Sequence, residues 1–575
     1  MRLLFRIVSI LVMTVLLSGC VLSNSPIQAA ATRQAAQQTR TPTPFQPVIN
    51  NSGQAPAAVP TRVTPTPVSQ PVLWFDPAVP TGLRDRLQFG AEVSLTEDTQ
   101  EANLHLQVVP GGRADSTWVY ALVAPFPTVT DEVDTMDIRR IWRGDEAEVF
   151  AGQPLLVSPS THAAFEAIWG SASTITVEVV DESELLDEAW ARETAWALVP
   201  FELLEPRWKV MRVDGESPLD KNFDLDGYPL KVRFRIAEVT APGTVILPAT
   251  NRREDRMTVI AMTGVTALVR GIGARMESEG MHAPAGGIFT WLVEPDFTHI
   301  SNEVSFLERC PPANPNQTSL MFCSRPEYFQ LFQYLGIDIV ELSGNHLADW
   351  GMDGLVNTLE MLDEAGMRYY AAGMNTEEAR QPLLIEHNGN RIAFIGCNPV
   401  GPPNVWSDDE RPGVAECEYD YPWIKAEIMR LRADGYLPIV TLQYGETYVA
   451  EPTATKKRDF PPLAEAGAVI VSGSQAHYPQ GMEFTADGAF IHYGLGNLFF
   501  DQMRVPSGLG PKEFSEELPL AGTRLHFIDR HVFYDGRYIS TELKTAILED
   551  FYRPRPMTEE ERAVFLRGMF EASGW

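Results

Sequence analysis

The sequence predicts an α/β protein: two folded bodies behind a long unfolded leader. Three observations predict it. From about residue 72 onward, short apolar, β-branched runs alternate with helix-like runs. A polar stretch with two prolines, "APGTVILPATNRREDR" at 241–256, divides that region in two and reads as a linker. In the second half, apolar runs repeatedly close on polar clusters, which is where an α/β sheet gathers a site.

The leader comes first. "MRLLFRIVSILVMTVLLSGC" has a basic start (Arg2, Arg6), a short apolar stretch and then Leu17-Ser18-Gly19-Cys20. Its length suits a secretory signal over residues 1–20 better than a membrane span. The small residues before the cysteine resemble the bacterial lipobox, which implies cleavage before Cys20 and a lipid on its thiol. An uncleaved anchor is the alternative, and both place the body outside the cytoplasm, tethered to the cell membrane. Residues 21–71 contain no Asp or Glu and are rich in Ala, Gln, Thr and Pro. Such a segment has too little apolar surface to order itself. It reads as a disordered stalk of roughly 40 Å root-mean-square span.

Charge and cysteine content narrow the function classes. Beyond the stalk there are 41 basic and 76 acidic residues, a net of −35. That argues against nucleic acid and anionic headgroups as partners and suits a solvated extracellular surface. Apart from Cys20, four cysteines remain: Cys310, Cys323, Cys397 and Cys417. In an oxidising compartment they allow two disulfides, with three connectivities. We favour the local pairs Cys310–Cys323 and Cys397–Cys417; free thiols are the alternative.

The first body spans 72–240. Its strand-like runs include "ANLHLQVVP", "WVYALVAPF", "TITVEVV" and "AWALVPF"; its helix-like runs include "MDIRRIWRGD", "SPSTHAAFEAIWG" and "SELLDEAWAR". The order of "ALVAPFPTVTDEVDTMDIRRIWRG", "ALVPFELL" and "YPL" resembles the type-2 periplasmic solute-binding fold. That resemblance implies a compact solute-binding-like α/β domain with a binding, structural or docking role.

The second body spans 257–550, with residues 551–575 as a tail. "TVIAMTG", "FTHISNEV", "IDIVELSG", "NRIAFIGCN", "LPIVTLQYG", "AVIVSGSQAH" and "AFIHYGLGN" read as strands. "GMDGLVNTLEMLDEAGM" reads as a helix whose Leu355, Leu359 and Leu362 form a core stripe. In the tail, "MTEEER" reads as a helix start capped by Thr558. "DLDG" (224–227) reads as a turn, and Asp535-Gly536 as a hairpin turn.

Polar residues gather at the ends of these strands. They are Asn302 and Glu303; Asn345, His346 and Asp349; Gln443, Glu446 and Tyr448; Gln475 and His477; and His492, Tyr493 and Asn497. Together "TGVTALVR", "SNE", "GNHLADWG", "QYGETY", "GSQAH" and "YGLGNLFFDQ" resemble, in order, the motifs of the CapA family, named for poly-γ-glutamate capsule synthesis. The resemblance covers roughly 257–545. It implies a four-layer α/β/β/α sandwich of the metallophosphoesterase type. It also implies catalytic roles for His346, His477, Glu303 and Glu446, and binding roles for Asn345, Asp349, Arg270, Gln443, Gln475, Tyr493 and Asn497.

The departures are specific. Val265 stands where the family pattern has its first-strand Asp, Gln443 where it has the His of His-Trp-Gly, and Gln475 at the first His of Gly-x-His-Pro-His. A dinuclear centre holds two cations about 3.5–4 Å apart with a carboxylate bridge and several imidazoles. Neutral amide oxygens are weak replacements. His346, His477, Asn345 and Glu303 are left as ligands for one divalent metal (Mn, Zn or Fe), or for none. Three readings stand. The site is a hydrolase of an extracellular phosphoester or amide; or it binds a polymer and organises assembly with capsule-synthesis membrane proteins; or it is a satisfied hydrogen-bond network. His492 and His526 read as structural.

Overall fold

The structure, a computed structural model, describes residues 70–192, 195–237, 245–501 and 522–575. The signal, Cys20 and all but residues 70 and 71 of the stalk lie outside the described residues. Among those described, no helix is long and apolar enough to cross a membrane.

The first body is built on one nine-stranded mixed sheet. Its strands are β1 (Val72–Phe75), β2 (Ser94–Leu95), β3 (Leu104–Val108), β4 (Ser116–Pro125), β5 (Leu155–Val157), β6 (Val177–Val179), β7 (Trp196–Pro200), β8 (Trp208–Val210) and β9 (Lys231–Ala237). The order is β2-β1-β3-β9-β4-β7-β5-β6, with β8 against β4. Helices α1 (Thr135–Arg143), α2 (Pro159–Trp169) and α3 (Leu185–Trp190) fall on the three expected runs. α2 starts where Ser158 accepts the Thr161 N–H and Pro159 fills the first turn, a strong N-terminal signal.

The second body is built on two large sheets. The first runs β13 (Arg368–Tyr370), β12 (Ile339–Glu341), β11 (Phe297–Asn302), β10 (Met257–Thr266), β21 (Leu525–Tyr534), β22 (Arg537–Glu549) and β23 (Arg553–Pro556), with β20 (Asn497–Phe499) also on β10. The second runs β14 (Leu383–His387), β15 (Asn390–Cys397), β16 (Leu437–Thr447), β17 (Ile470–Ala476), β19 (Phe490–His492) and β18 (Met482–Phe484).

Strand alternation sets the layers. Ile260 and Met262 of β10 share an apolar cluster with Phe394, Ile439 and Ile470 of the other sheet. Ala261, between them, faces the opposite way, onto Ile272 of α4 (Arg270–Glu279) and Leu355 of α5 (Met352–Ala365). Val440 and Val471 turn outward onto Ile424 and Ile428 of α6 (Pro422–Ala433), and α7 (Ala454–Asp459) follows β16. The result is α/β/β/α, as the family resemblance implies. The Asp535-Gly536 turn joins β21 to β22 with both residues at positive φ, the type I′ pattern.

Two boundaries differ from expectation. The described part of the 241–256 linker, from Val245 on, is built into the fold: Val245–Ile246 pairs with Gln88–Phe89, and the buried Asn251 holds both backbone groups of Val119 at 2.8 and 2.9 Å. A polar segment is buried here because its amides are satisfied, which no hydropathy pattern displays. The tail is also part of the body. β23 extends the first sheet, and α8 (Glu559–Ser573) buries Phe565, Leu566, Met569 and Phe570 in the inter-sheet cluster. Thr558 and Glu561 close α8 with a reciprocal capping box, as the sequence suggests. Met257, Val259, Val532 and Tyr534 enter the core of the first body, so the two bodies share one core and form one compact unit.

Replacing the fully buried Phe565 with Ala is expected to cost about 3–5 kcal/mol. The measurement is the shift in denaturant midpoint, and an unshifted midpoint would mean that α8 is not integral to the core.

Candidate functional site

The polar hollow forms at the carboxyl ends of β10, β11, β12, β16, β17 and β20. The backbones converge closely here. A Cβ on Gly264 would strike the Gly496 carbonyl, and one on Gly344 would strike the backbone of Glu303. The latter contact lets the chain after β12 run parallel to that after β11, with a bridge between Val304 and His346. It carries Asn345 and His346 to the Glu303 side.

Gln443 stands at the centre. Its Oε1 accepts from the Ser474 hydroxyl at 2.6 Å, which fixes the amide so that Nε2 faces the other way. Nε2 then donates to Asn345 Oδ1 at 3.1 Å, to Glu303 Oε1 at 3.5 Å, and to Gln475 Oε1. Gln475 reaches that position from a left-handed backbone (φ 68°), a strained conformation for a residue with a Cβ. The other oxygen of Glu303 is buried with no hydrogen bond among the described residues.

Two imidazoles flank this network, each anchored through Nδ1. The His346 Nδ1–H donates to Asp349 Oδ2 at 2.7 Å, and the same Asp349 oxygen accepts the Phe322 N–H at 2.8 Å. Burial lowers the pKa of His346, but the Asp349 hydrogen bond and the nearby Glu303 and Glu446 outweigh it, so the net shift is upward. The His477 Nδ1–H donates to Asn497 Oδ1 at 2.8 Å; Asn497 Nδ2 is turned to the carbonyls of His477 and Thr523, which fixes the amide. Its Nε2 faces Glu446 at 3.9 Å, and the Tyr448 hydroxyl donates to that same carboxylate.

One wall is apolar. Val265, Val304, Phe322 and Phe500 cluster there. The Phe322 ring lies 4.8 Å from His346 and the Phe500 ring 4.9 Å from His477, between ring centres. The buried Arg270 guanidinium sits over both, 4.5 Å from Phe322 and 5.5 Å from Phe500. Burial lowers its pKa, while Asp501, Tyr448, Glu303 and Glu446 support its charge. The Cys310–Cys323 disulfide closes the loop that ends beside Phe322, and Cys397–Cys417 is also formed, matching the favoured pairing.

Of the sequence-derived site residues, Glu303, Asn345, His346, Gln443, Glu446, Gln475, His477 and Arg270 are brought together. Asp349 and Asn497 serve as anchors for the two histidines. Tyr493 does not belong: its ring packs on Phe460, 5.2 Å between centres, in the cluster beneath the outer helices. The strand alternation that carries Ser474 toward Gln443 turns Tyr493 to the other face. Sequence reasoning overlooked Asp501, which accepts the Gly271 N–H at 2.9 Å at the start of α4. Burial pushes its pKa up to about 7. A carboxylate closing the apolar run "NLFF" was its only signal. His492 and His526 are buried away from the hollow, His492 on Asp529 at 2.6 Å.

His346, His477, Asn345 and Glu303 share this rim but do not gather around one point as metal ligands. Among the described residues no three His, Cys, Asp or Glu side chains gather as ligands. Val265 packs against phenylalanines, and an amide N–H donor occupies the point on which oxygens of Glu303, Asn345 and Gln475 converge. The free Glu303 oxygen would suit a cation, but a lone carboxylate does not hold two. The donor set therefore does not fit a dinuclear centre. What the hollow offers is hydrogen bonding, a buried guanidinium and two oriented imidazoles able to move protons at Nε2.

Layer order and site position together define a four-layer α/β/β/α sandwich with its polar residues at the strand ends. Residues 259–502 match the family model described as bacterial capsule synthesis protein PGA_cap, the same part of the chain whose motifs resemble the CapA family. The capsule biosynthesis protein CapA of Bacillus anthracis is 26% identical over 183 residues, 31% of this chain and 44% of that protein. The PGA biosynthesis protein CapA of Bacillus subtilis strain 168 is 26% identical over 179 residues, 31% of this chain and 46% of that protein. The match thus spans less than half of either relative. Among solved structures, the 5'-nucleotidase precursor of Thermus thermophilus is 12% identical, covering 55% of this chain and 58% of its own, with a TM-score of 0.30. An ABC-type phosphate transport receptor from Vibrio cholerae is 13% identical, covering 25% and 74%, with a TM-score of 0.22. Neither superposition carries an argument; the layer order rests on the strands themselves.

His346 is expected to hold its proton above the ordinary histidine range. A raised histidine pKa adds stability that is complete below the unfolded-state value and is lost as pH rises through the folded one. Asp349→Asn should lower the His346 titration midpoint, measured by NMR of the imidazole nitrogens, and shrink that loss. An unmoved midpoint would refute the Asp349 assignment.

Proposed function

We propose that this protein takes part in the synthesis, export or anchoring of a capsule polymer of the poly-γ-glutamate kind, and that its hollow binds the polymer without a metal pair. The protein works outside the cytoplasm, held to the cell membrane by a lipid on Cys20, and meets capsule-synthesis membrane proteins there. The observation that carries the reading is the orientation of Gln443: a neutral N–H donor holds the oxygens that would otherwise face a cation. The surrounding groups suit an amide polymer with free carboxylates. Arg270 attracts carboxylates, as does His346 in its protonated form, which its upward pKa shift favours, and the free Glu303 oxygen accepts an amide N–H. The names of the two Bacillus relatives, which concern capsule and PGA biosynthesis, support the same process.

A second reading has its own support. The His346–Asp349 pair and the His477–Asn497 pair each leave Nε2 oriented and unanchored, as an acid–base pair requires. A hydrolase of an extracellular phosphoester or amide would use them in that way.

Elemental analysis of purified protein should find Mn, Zn and Fe well below one per chain, and Gln443→Ala should weaken binding of poly-γ-glutamate in a pull-down. Under this reading His346→Ala weakens polymer assembly in cells without abolishing it. Stoichiometric metal, or hydrolysis lost about 10²–10⁴-fold in both His346→Ala and His477→Ala, would establish the enzyme instead.

A further inference from the structure

A second crevice lies where β4, β8, β22 and α8 meet, between the first body, the long hairpin and the C-terminal helix. Its volume is about 210 Å³. The floor is apolar, with Phe126, Trp291, Leu543, Leu566 and Phe570. Its charged lining is Lys209, Arg212, Lys544 and Arg562 against Asp131 and Glu542. An excess of two positive charges stands out in a protein of net charge −30.

Partners just outside the crevice reduce that excess to one, because five cations there meet four carboxylates. Asp131 is shared by Lys209 at 2.6 Å and Arg562 at 2.5 Å. Glu542 is shared by Lys544 at 2.8 Å and Arg530 at 3.0 Å. Arg530 also meets Glu294 at 3.2 Å, and Arg212 has its own partner, Asp220, at 2.5 Å. Both of those acids line the adjoining crevice. Both shared carboxylates are held below their ordinary range despite burial, Asp131 by the Arg562 and Lys209 contacts and Glu542 chiefly by Lys544 and Arg530. Burial pushes the Lys209 ammonium down to about 8, and Arg562 adds to that shift. Lys209 and Arg562, which share one carboxylate, would gain from a further anion.

The hydrogen-bond inventory points to the contact. Lys209 already donates to Asp131 and to the carbonyls of Thr128 and Val129, so it supplies field only. Lys544 donates to Glu542 Oε1 alone among the described residues, and an ammonium has three donors. Junctions between domains are common ligand sites, with an apolar floor and a few placed polar groups. An inorganic anion would leave that floor facing water.

We propose that this crevice is a binding site, separate from the strand-end hollow, for the carboxylate of a small organic acid whose apolar stem lies on the aromatic floor and whose oxygens meet Lys544. Calorimetric titration of the full chain with hexanoate, phenylacetate and γ-glutamylglutamate, with inorganic phosphate as comparison, tests it. At least one organic acid should bind more tightly than phosphate. Lys544→Gln should weaken that binding about tenfold or more, and Lys544→Arg should restore most of it. Gln443→Ala should leave it unchanged, and circular dichroism melting confirms that each variant is folded. Binding by none of the three acids, equal binding of phosphate, an unaltered Lys544→Gln variant, or loss in Gln443→Ala would each overturn the proposal.

Discussion

At the rim of the sandwich, the Gly264 backbone lies against the Gly496 carbonyl and Gly344 lies against the backbone of Glu303. No side chain fits between these segments. Only by omitting Cβ can β10, the chain after β12 and the turn before β20 approach closely enough for nearby polar residues to share hydrogen bonds. Everything at the site follows from that approach. Glu303, Asn345, Gln443 and Gln475 come from four separate strand ends, yet they meet through one amide. The cost of the crowding is visible in the left-handed backbone at Gln475 and Arg270.

Within that frame, charge is managed by orientation. Asp349 and Asn497 each hold a histidine by the nitrogen that faces away from the hollow. Arg270 is kept charged in an apolar wall by acids rather than by water. The same economy recurs at the junction of the two bodies, where Asp131 and Glu542 each serve two cations. Both places are polar clusters enclosed by aromatic side chains, and in such surroundings an unbalanced charge acts strongly on whatever enters.

Much of the fold was legible because its signals are local. Alternation within "TVIAMTG" and "LPIVTLQYG", the Leu355-Leu359-Leu362 stripe and the Thr558 cap each depend on neighbours a few residues away. The residues of the site were legible for a different reason: polar groups ending apolar strands stand out against their surroundings. What escaped depends on contacts made far along the chain. Asn251 is buried because it meets Val119, and α8 is core because its phenylalanines find the gap between the sheets. Neither fact is visible in "ATNRRED" or in a helix with three acids in its first turn. Tyr493 was misjudged because a motif lists residues without saying which face of the sheet each one takes.

The Cys310–Cys323 bond has a consequence for the chemistry it borders. Cys323 directly follows Phe322, whose ring supports both the Arg270 cation and the His346 imidazole. A covalent clasp thus sets the stiffness of one wall. Opened by a thiol reductant, the twelve residues between the two cysteines would regain their slack, and with them the aromatic backing of the guanidinium.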